Sequence, residues 1–130
     1  MEKLLIIGGV AAGATAAARA RRLNSDIEIS ILEAGSDVSF ANCGLPYFLG
    51  GEVENRSDLI LASPETFKEE YNVTVHLNTE ARTIDRKNKT VTAIQNGKKR
   101  VFDYDKLILA QGGKPIVPPL PGVDQKNVFT

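Results

Sequence analysis

The sequence predicts an α/β fold in which a parallel sheet is combined with a small antiparallel β-meander. Three observations carry this. A wholly apolar run, Leu4–Ile7, is stopped by Gly8-Gly9. An alanine-rich stretch, Ala11 to Leu23, is followed by the alternating Ile27, Ile29 and Ile31. An Asn-Gly pair, Asn96-Gly97, separates two strand-like segments. An apolar run bounded by glycines reads as a strand buried on both faces, as parallel strands are. Alanine favours helix, and the arginines that close the stretch suit the negative end of the helix dipole. Strand, helix and second strand within the first 33 residues form the β-α-β unit of doubly wound folds.

Further along, Ser36 to Gly51 reads as a loop with a short helix carrying the lone cysteine, Cys43. Ser63-Pro64-Glu65 reads as a helix start, with Ser63 as cap and Pro64 in the first helical position, and the helix runs to about Tyr71. Val73, Val75 and Leu77 make a third parallel strand. Arg82 to Asp85, Thr90 to Ile94 and Lys98 to Phe102 make the meander, with turns at Lys87-Asn88-Lys89 and at Asn96-Gly97. Leu107–Ala110 returns as a buried strand ending in Gly112-Gly113. Pro115, Pro118, Pro119 and Pro121 make the tail an extended connector.

The chain has 130 residues, 42% hydrophobic and 25% charged, enough for one soluble core. Sixteen basic and sixteen acidic side chains cancel, so no nucleic acid or acidic membrane is expected as partner. The leading apolar run lacks a signal-peptide layout, and no stretch approaches the ~20 apolar residues of a membrane span. A single cysteine excludes an internal disulfide, and a reducing, cytoplasmic setting follows as the default.

Gly8-Gly9-Val10-Ala11-Ala12-Gly13 lies where a dinucleotide fingerprint belongs, after a strand and opening a helix. Gly8 permits the tight turn, Gly13 lets the helix approach the strand, and the free N–H groups favour a pyrophosphate. Val10 stands where the pattern has its middle glycine. A glycine-rich turn by itself fits a plain structural turn as well. Glu33, at the end of the second strand, is placed to accept hydrogen bonds from a ribose, and it disfavours a 2′-phosphate. The ligand class is therefore FAD or NAD rather than NADP. The meander after the third strand is unlike a plain NAD module.

Cys43 has two readings on its own residues: a buried, inert small hydrophobe, or a reactive thiol at a helix N-terminus. A helix starting at Cys43 or Gly44 tolerates Pro46, because first-turn N–H groups lack partners anyway. His76 reads as a half-buried strand residue, Tyr47 and Phe48 as packing for the short helix, and Arg21 as surface. No metal site is expected.

Ser39-Phe40-Ala41-Asn42-Cys43-Gly44-Leu45-Pro46-Tyr47 resembles the active-site signature of coenzyme A disulfide reductases and their persulfide-reductase relatives. These belong to the FAD-dependent pyridine nucleotide-disulfide oxidoreductases. Tyr104 to Gly112 resembles the second flavin motif of that family, with Gln111 in place of the usual threonine. The resemblance covers Leu4 to Thr130 and rests on one cysteine rather than a dithiol pair.

The resemblance implies a Rossmann-like FAD-binding domain in which Gly8, Gly9, Val10, Ala11, Ala12, Gly13, Glu33, Ala34, Ala81, Ala110 and Gly112 bind the cofactor. It implies that NADH or NADPH reduces FAD, which reduces a mixed disulfide between Cys43 and coenzyme A. Thr15, Arg19 and Arg22 share one helix face, which the resemblance assigns to the coenzyme A phosphates, while Ser39 and Asn42 flank the sulfur. The same face also reads as a solvated basic stripe. Residues 1–130 are expected to be the N-terminal part of the FAD domain. The NAD(P)H-binding and dimerisation domains are expected to lie outside this chain, and the full-length protein to be a homodimer. The alternatives are a single-cysteine NADH oxidase or peroxidase, and an inactive FAD-binding fragment. NADH or NADPH, disulfide or persulfide, and a downstream rhodanese-like domain are left open.

Overall fold

In the computed structural model, residues 1–129 are described, so the far end of the predicted segment, Thr130, lies outside them. Strands β1 (Lys3–Ile7), β2 (Glu28–Leu32), β3 (Val73–His76) and β7 (Lys106–Leu109) form a parallel sheet in the order β3-β2-β1-β7. Strands β4 (Thr79–Asp85), β5 (Thr90–Gln95) and β6 (Lys98–Asp103) form the antiparallel meander. Helices α1 (Ala11–Leu23), α2 (Leu45–Leu49) and α3 (Pro64–Tyr71) complete the chain, with short 3₁₀ turns at Asn42–Gly44 and Arg56–Leu59.

From Leu4 to Ile7 the inner strand β1 is apolar because both its faces are covered. Neighbouring side chains of a strand point to opposite faces. Leu4 and Ile6, with Ile29, Ile31 and Val73, pack with Ala14 and Ala17 of α1 and Phe67 of α3. Leu5 and Leu32 pack on the other side against Val91 and Ala93 of the meander. The helices thus cover one face of the parallel sheet and the meander covers the other.

Local chemistry explains the helix ends. The Ser63 hydroxyl accepts the Thr66 N–H at 3.2 Å and the Thr66 hydroxyl accepts the Ser63 N–H at 3.4 Å, a reciprocal cap, with Pro64 in the first turn. Asn72 stops α3 in the left-handed conformation, φ +48°. Asn96 and Gly97, at φ +48° and +78°, form the tight turn that an Asn-Gly pair predicts. The third parallel strand ends at His76 rather than Leu77, because β4 begins at Thr79 and the chain must turn between them.

Arg21 is not a free surface residue. It is half-buried, and its guanidinium donates to the carbonyls of Ser25, Ile27 (2.7 Å), Tyr71 (2.8 Å) and Asn72 (3.1 Å). It ties the end of α1 to the end of α3, and its five-donor fork suits a cluster of carbonyls that lysine would not satisfy.

Candidate functional site

A cleft of about 620 Å³ opens at the carboxyl ends of the parallel strands. β2 lies on one side of β1 and β7 on the other, so the cleft stands where the strand order reverses, the usual ligand position in open α/β sheets. Gly8, Val10, Ala11 and Ala12 form one wall; Glu33 and Ala34 a second; Ala81, Ala110 and Gly112 a third. Asn42, expected beside the reacting sulfur, lines the same cleft.

Gly8 makes this arrangement possible. Its φ is +97°, and a Cβ there would sit 2.2 Å from the Ala110 carbonyl oxygen, so only glycine lets the turn pass the end of β7. Gly13 does not line the cleft. It lies inside α1, where a Cβ would be 1.8 Å from the Gly8 carbonyl oxygen, and so it sets the close approach of helix to turn. Gly9 also stays out of the cleft and backs onto Val38, Ile31 and Glu33. Val10, at the N-terminal boundary of α1, provides no side-chain cap, and the helix ladder begins with Ala14 N–H donating to the Val10 carbonyl at 3.1 Å. The first-turn N–H groups therefore keep no intrahelical acceptor and face outward along the axis with the positive end of the dipole.

Glu33 does more than its sequence position suggests. Gly9 N–H donates to its Oε2 at 2.7 Å and Gly35 N–H to its Oε1 at 2.8 Å. Each carboxylate oxygen keeps further acceptor capacity for a ligand hydroxyl. The side chain thus braces the glycine turn as well as lining the cleft.

The sequence reading missed Thr79, Glu80 and Gly113 as lining residues, and treated Gln111 only as a departure from a motif. Thr79 is 1% exposed, with its hydroxyl donating to the Leu77 carbonyl at 2.8 Å. The signal was available: these residues lie shortly past the carboxyl ends of β3 and β7, on the edge where ligands bind.

Cys43 is exposed, in the middle of the 3₁₀ turn Asn42–Gly44, with α2 starting two residues later at Leu45. The helical start predicted at Cys43 or Gly44 is this 3₁₀ turn, and Pro46 occupies the first turn of α2. Ser39 stays out of the cleft and adopts φ +55°. Its N–H donates to the Gly9 carbonyl at 2.8 Å, joining the thiol-bearing loop to the glycine turn. Phe48 is half-buried, whereas Tyr47 is 54% exposed and does not pack the short helix, which is too short to bury a full face.

Thr15, Arg19 and Arg22 are all exposed on α1, outside the cleft. Lys68 donates to the Asn72 side chain at 2.9 Å. His76 is half-buried with its ring 5.0 Å from that of Phe102, and burial, assisted by Arg100, holds its pKa below the usual imidazole value. Among the described residues no cluster of three or more His, Cys, Asp or Glu is arranged to hold a metal, and no helix is long and apolar enough to cross a membrane.

Parallel sheet, glycine turn, acidic residue after β2 and a cleft at the strand-order switch define a Rossmann-like dinucleotide-binding fold. The chain belongs to the pyridine nucleotide-disulphide oxidoreductase family, whose model matches residues 2–130. It is 46% identical over 114 residues to a coenzyme A disulfide reductase of Staphylococcus haemolyticus, covering 86% of this chain and 26% of that protein. It is 33% identical over 128 residues to an NADH oxidase of Methanocaldococcus jannaschii, covering 98% and 29%. Among solved structures it resembles a NAD-dependent persulfide reductase from A. fulgidus, with TM-score 0.91 and 39% identity over 98% of this chain and 25% of that one. The chain thus spans little more than a quarter of the length of the curated relatives it matches.

Proposed function

We propose that this chain is the N-terminal, flavin-nucleotide-binding part of a FAD-dependent oxidoreductase that uses NADH or NADPH to reduce a disulfide or persulfide of coenzyme A through Cys43. One observation carries the reading: the cleft walled by Gly8, Val10 and Glu33 extends to Asn42, the residue joined to an exposed Cys43. Cys43 does not itself line the cleft, but its neighbour Asn42 brings the thiol-bearing loop to the edge of the candidate nucleotide seat.

The residues fit an adenine dinucleotide. The glycine turn leaves no Cβ between β1, β7 and a ligand, the first turn of α1 lacks a side-chain cap, and Glu33 keeps acceptor capacity toward the cleft. Val10, Ala11 and Ala12 would hold the pyrophosphate, Glu33 and Ala34 the ribose side, and Ala81, Ala110 and Gly112 the opposite wall. When bound, the flavin supplies a two-electron relay from nicotinamide to sulfur. The rest falls to Cys43. Its thiolate attacks the coenzyme A sulfur of the substrate, the S–S bond breaks, and the other sulfur leaves, as coenzyme A thiol from a disulfide or as hydrogen sulfide from a persulfide, so a mixed disulfide with coenzyme A remains on Cys43. Two electrons and a proton from the reductant then cleave that bond, release the coenzyme A thiol and restore the Cys43 thiolate. The second thiol of each cycle belongs to the substrate, which is why a single cysteine suffices. A cytoplasmic homodimer, free of nucleic acid and membrane, completes the proposal, in keeping with balanced charge.

Glu33→Ala in the full-length protein is expected to weaken flavin retention about ten- to a hundredfold, because charge-assisted hydrogen bonds to ribose are lost and the glycine turn loses its brace. Flavin absorbance after exhaustive dialysis measures this, and undiminished retention would speak against the assignment. The substrate is tested by removing both Arg19 and Arg22. If this stripe holds the coenzyme A phosphates, KM for coenzyme A disulfide rises about tenfold, while KM for a small disulfide stays put. An unchanged KM makes the stripe a solvated face. It then advances the second reading, an NADH oxidase or peroxidase cycling the same thiol through a sulfenic acid, which the likeness to an NADH oxidase favours.

A further inference from the structure

Beside the cleft lies a charged contact that none of these roles uses. Arg56, which opens the 3₁₀ turn Arg56–Leu59, pairs with the Asp37 carboxylate and lies over the Phe40 ring at 5.4 Å from its centroid. Asp37 and Phe40 both belong to the stretch that leads into Cys43. Around them the two segments are stitched by backbone. Phe40 and Ile60 form an antiparallel bridge, Ala41 N–H donates to the Leu59 carbonyl at 2.7 Å, and Leu61 N–H donates to the Ser39 carbonyl at 3.1 Å. Leu59, 2% exposed, supports the residue after the thiol from below: a Cβ on Gly44 would come within 2.5 Å of its Cδ2.

We propose that Arg56 is a positioning residue for Cys43. By holding Asp37 and Phe40 together on the 56–61 segment, it fixes the loop that carries the sulfur next to Asn42, at the edge of the cleft. The proposal rests on the reading of Cys43 as the redox thiol. The thiol stands in a three-residue turn followed by a five-residue helix, neither long enough to hold its own shape, so tertiary fastening must set its place. The side chain of Arg56 is 56% exposed, and an ion pair that open to solvent adds little to global stability. A planar guanidinium that pairs on one side and stacks on the other does, however, specify geometry. The Arg56 hydrogen bond, followed by that of Ser36, holds the Asp37 carboxyl below the usual carboxylate range, so the pair is intact at neutral pH.

The test uses the full-length, flavin-loaded protein. Arg56→Ala is expected to lower kcat for coenzyme A disulfide about tenfold, the scale of a sub-ångström to ångström misplacement of a reacting atom. KM, flavin content and thermal midpoint stay near the parent values. Asp37→Asn acts in the same direction, and Arg56→Lys, which keeps the charge but not the planar stack, recovers part of the rate. Should Arg56→Ala misfold, Asp37→Asn carries the test, since it leaves the stacked cation in place. Parent turnover in both Arg56→Ala and Asp37→Asn overturns the proposal, as does a loss of rate fully accounted for by lost flavin or raised KM. Cys43→Ser, measured alongside, separates the two ideas. If that variant still reduces the disulfide, the assignment of Cys43 fails whatever Arg56 does. If it is inactive while the Arg56 and Asp37 variants keep the parent rate, only the positioning role fails.

Discussion

Replacing Cys43 by serine in the full-length protein is expected to cut disulfide or persulfide reduction by about three orders of magnitude or more, while flavin stays bound. A serine hydroxyl has nearly the size of a thiol, but at neutral pH it neither attacks a disulfide nor leaves as an anion. Cys43 is exposed, so the substitution leaves no cavity in the core. It also lies outside the turn that would hold the nucleotide. The loss should therefore appear in the chemical step and not in folding or in flavin content. The measurement is anaerobic release of coenzyme A thiol driven by NADH or NADPH. Oxygen must be excluded, because reduced flavin reoxidised by oxygen would consume the reductant without any thiol. Retained thiol release by Cys43→Ser would end the proposed mechanism.

The second large effect is expected from Gly13→Ala, where two terms oppose each other. Alanine in a helix interior is favoured over glycine by about 1 kcal/mol. Against this, the new Cβ would stand 1.8 Å from the Gly8 carbonyl oxygen and 2.9 Å from its carbon, both backbone atoms. A flexible side chain could swing aside; this backbone cannot, because Gly8 N–H is bonded to the Leu32 carbonyl at 2.9 Å and the turn is pressed against Ala110. Over-packing of this kind costs about 1–3 kcal/mol or more, so the clash outweighs the propensity gain. The relief available is a shift of α1 away from the sheet, which would pull the uncapped first turn out of the cleft. Gly13→Ala should thus lower the thermal midpoint of the full-length protein and strip it of flavin together. A variant with the parent midpoint and full flavin content would show that helix and turn have more room than the structure gives them.

Much of the fold was legible because its signals are local. Ser63, Thr66 and Pro64 cap α3 with atoms a few residues apart, Asn96-Gly97 makes its turn alone, and the all-apolar Leu4–Ile7 announces a strand covered on both faces. Part of the candidate site was legible in the same way: Gly8, Val10 and Glu33 line the cleft, while Ala81, Ala110 and Gly112, which line it too, were expected only through the family resemblance. Gly9 and Gly13 belong instead to its scaffold, because a glycine pattern tells that space is short without telling which atoms compete for it.

The sequence by itself determined the strand–helix–strand unit, the glycine turn and the single thiol, since each depends on neighbouring residues or on residue type alone. Only the tertiary structure decided the order β3-β2-β1-β7, which brings Thr79 and Gln111 to the glycine turn, because pairing between distant strands leaves no local trace. It also decided Arg21 and Arg56. Helix phase says which way Arg21 leaves α1, but the Tyr71 and Asn72 carbonyls that bury it arrive with α3. Likewise Arg56 gains its meaning only when the chain folds back and sets it against Asp37 and Phe40, at the base of the loop that carries Cys43.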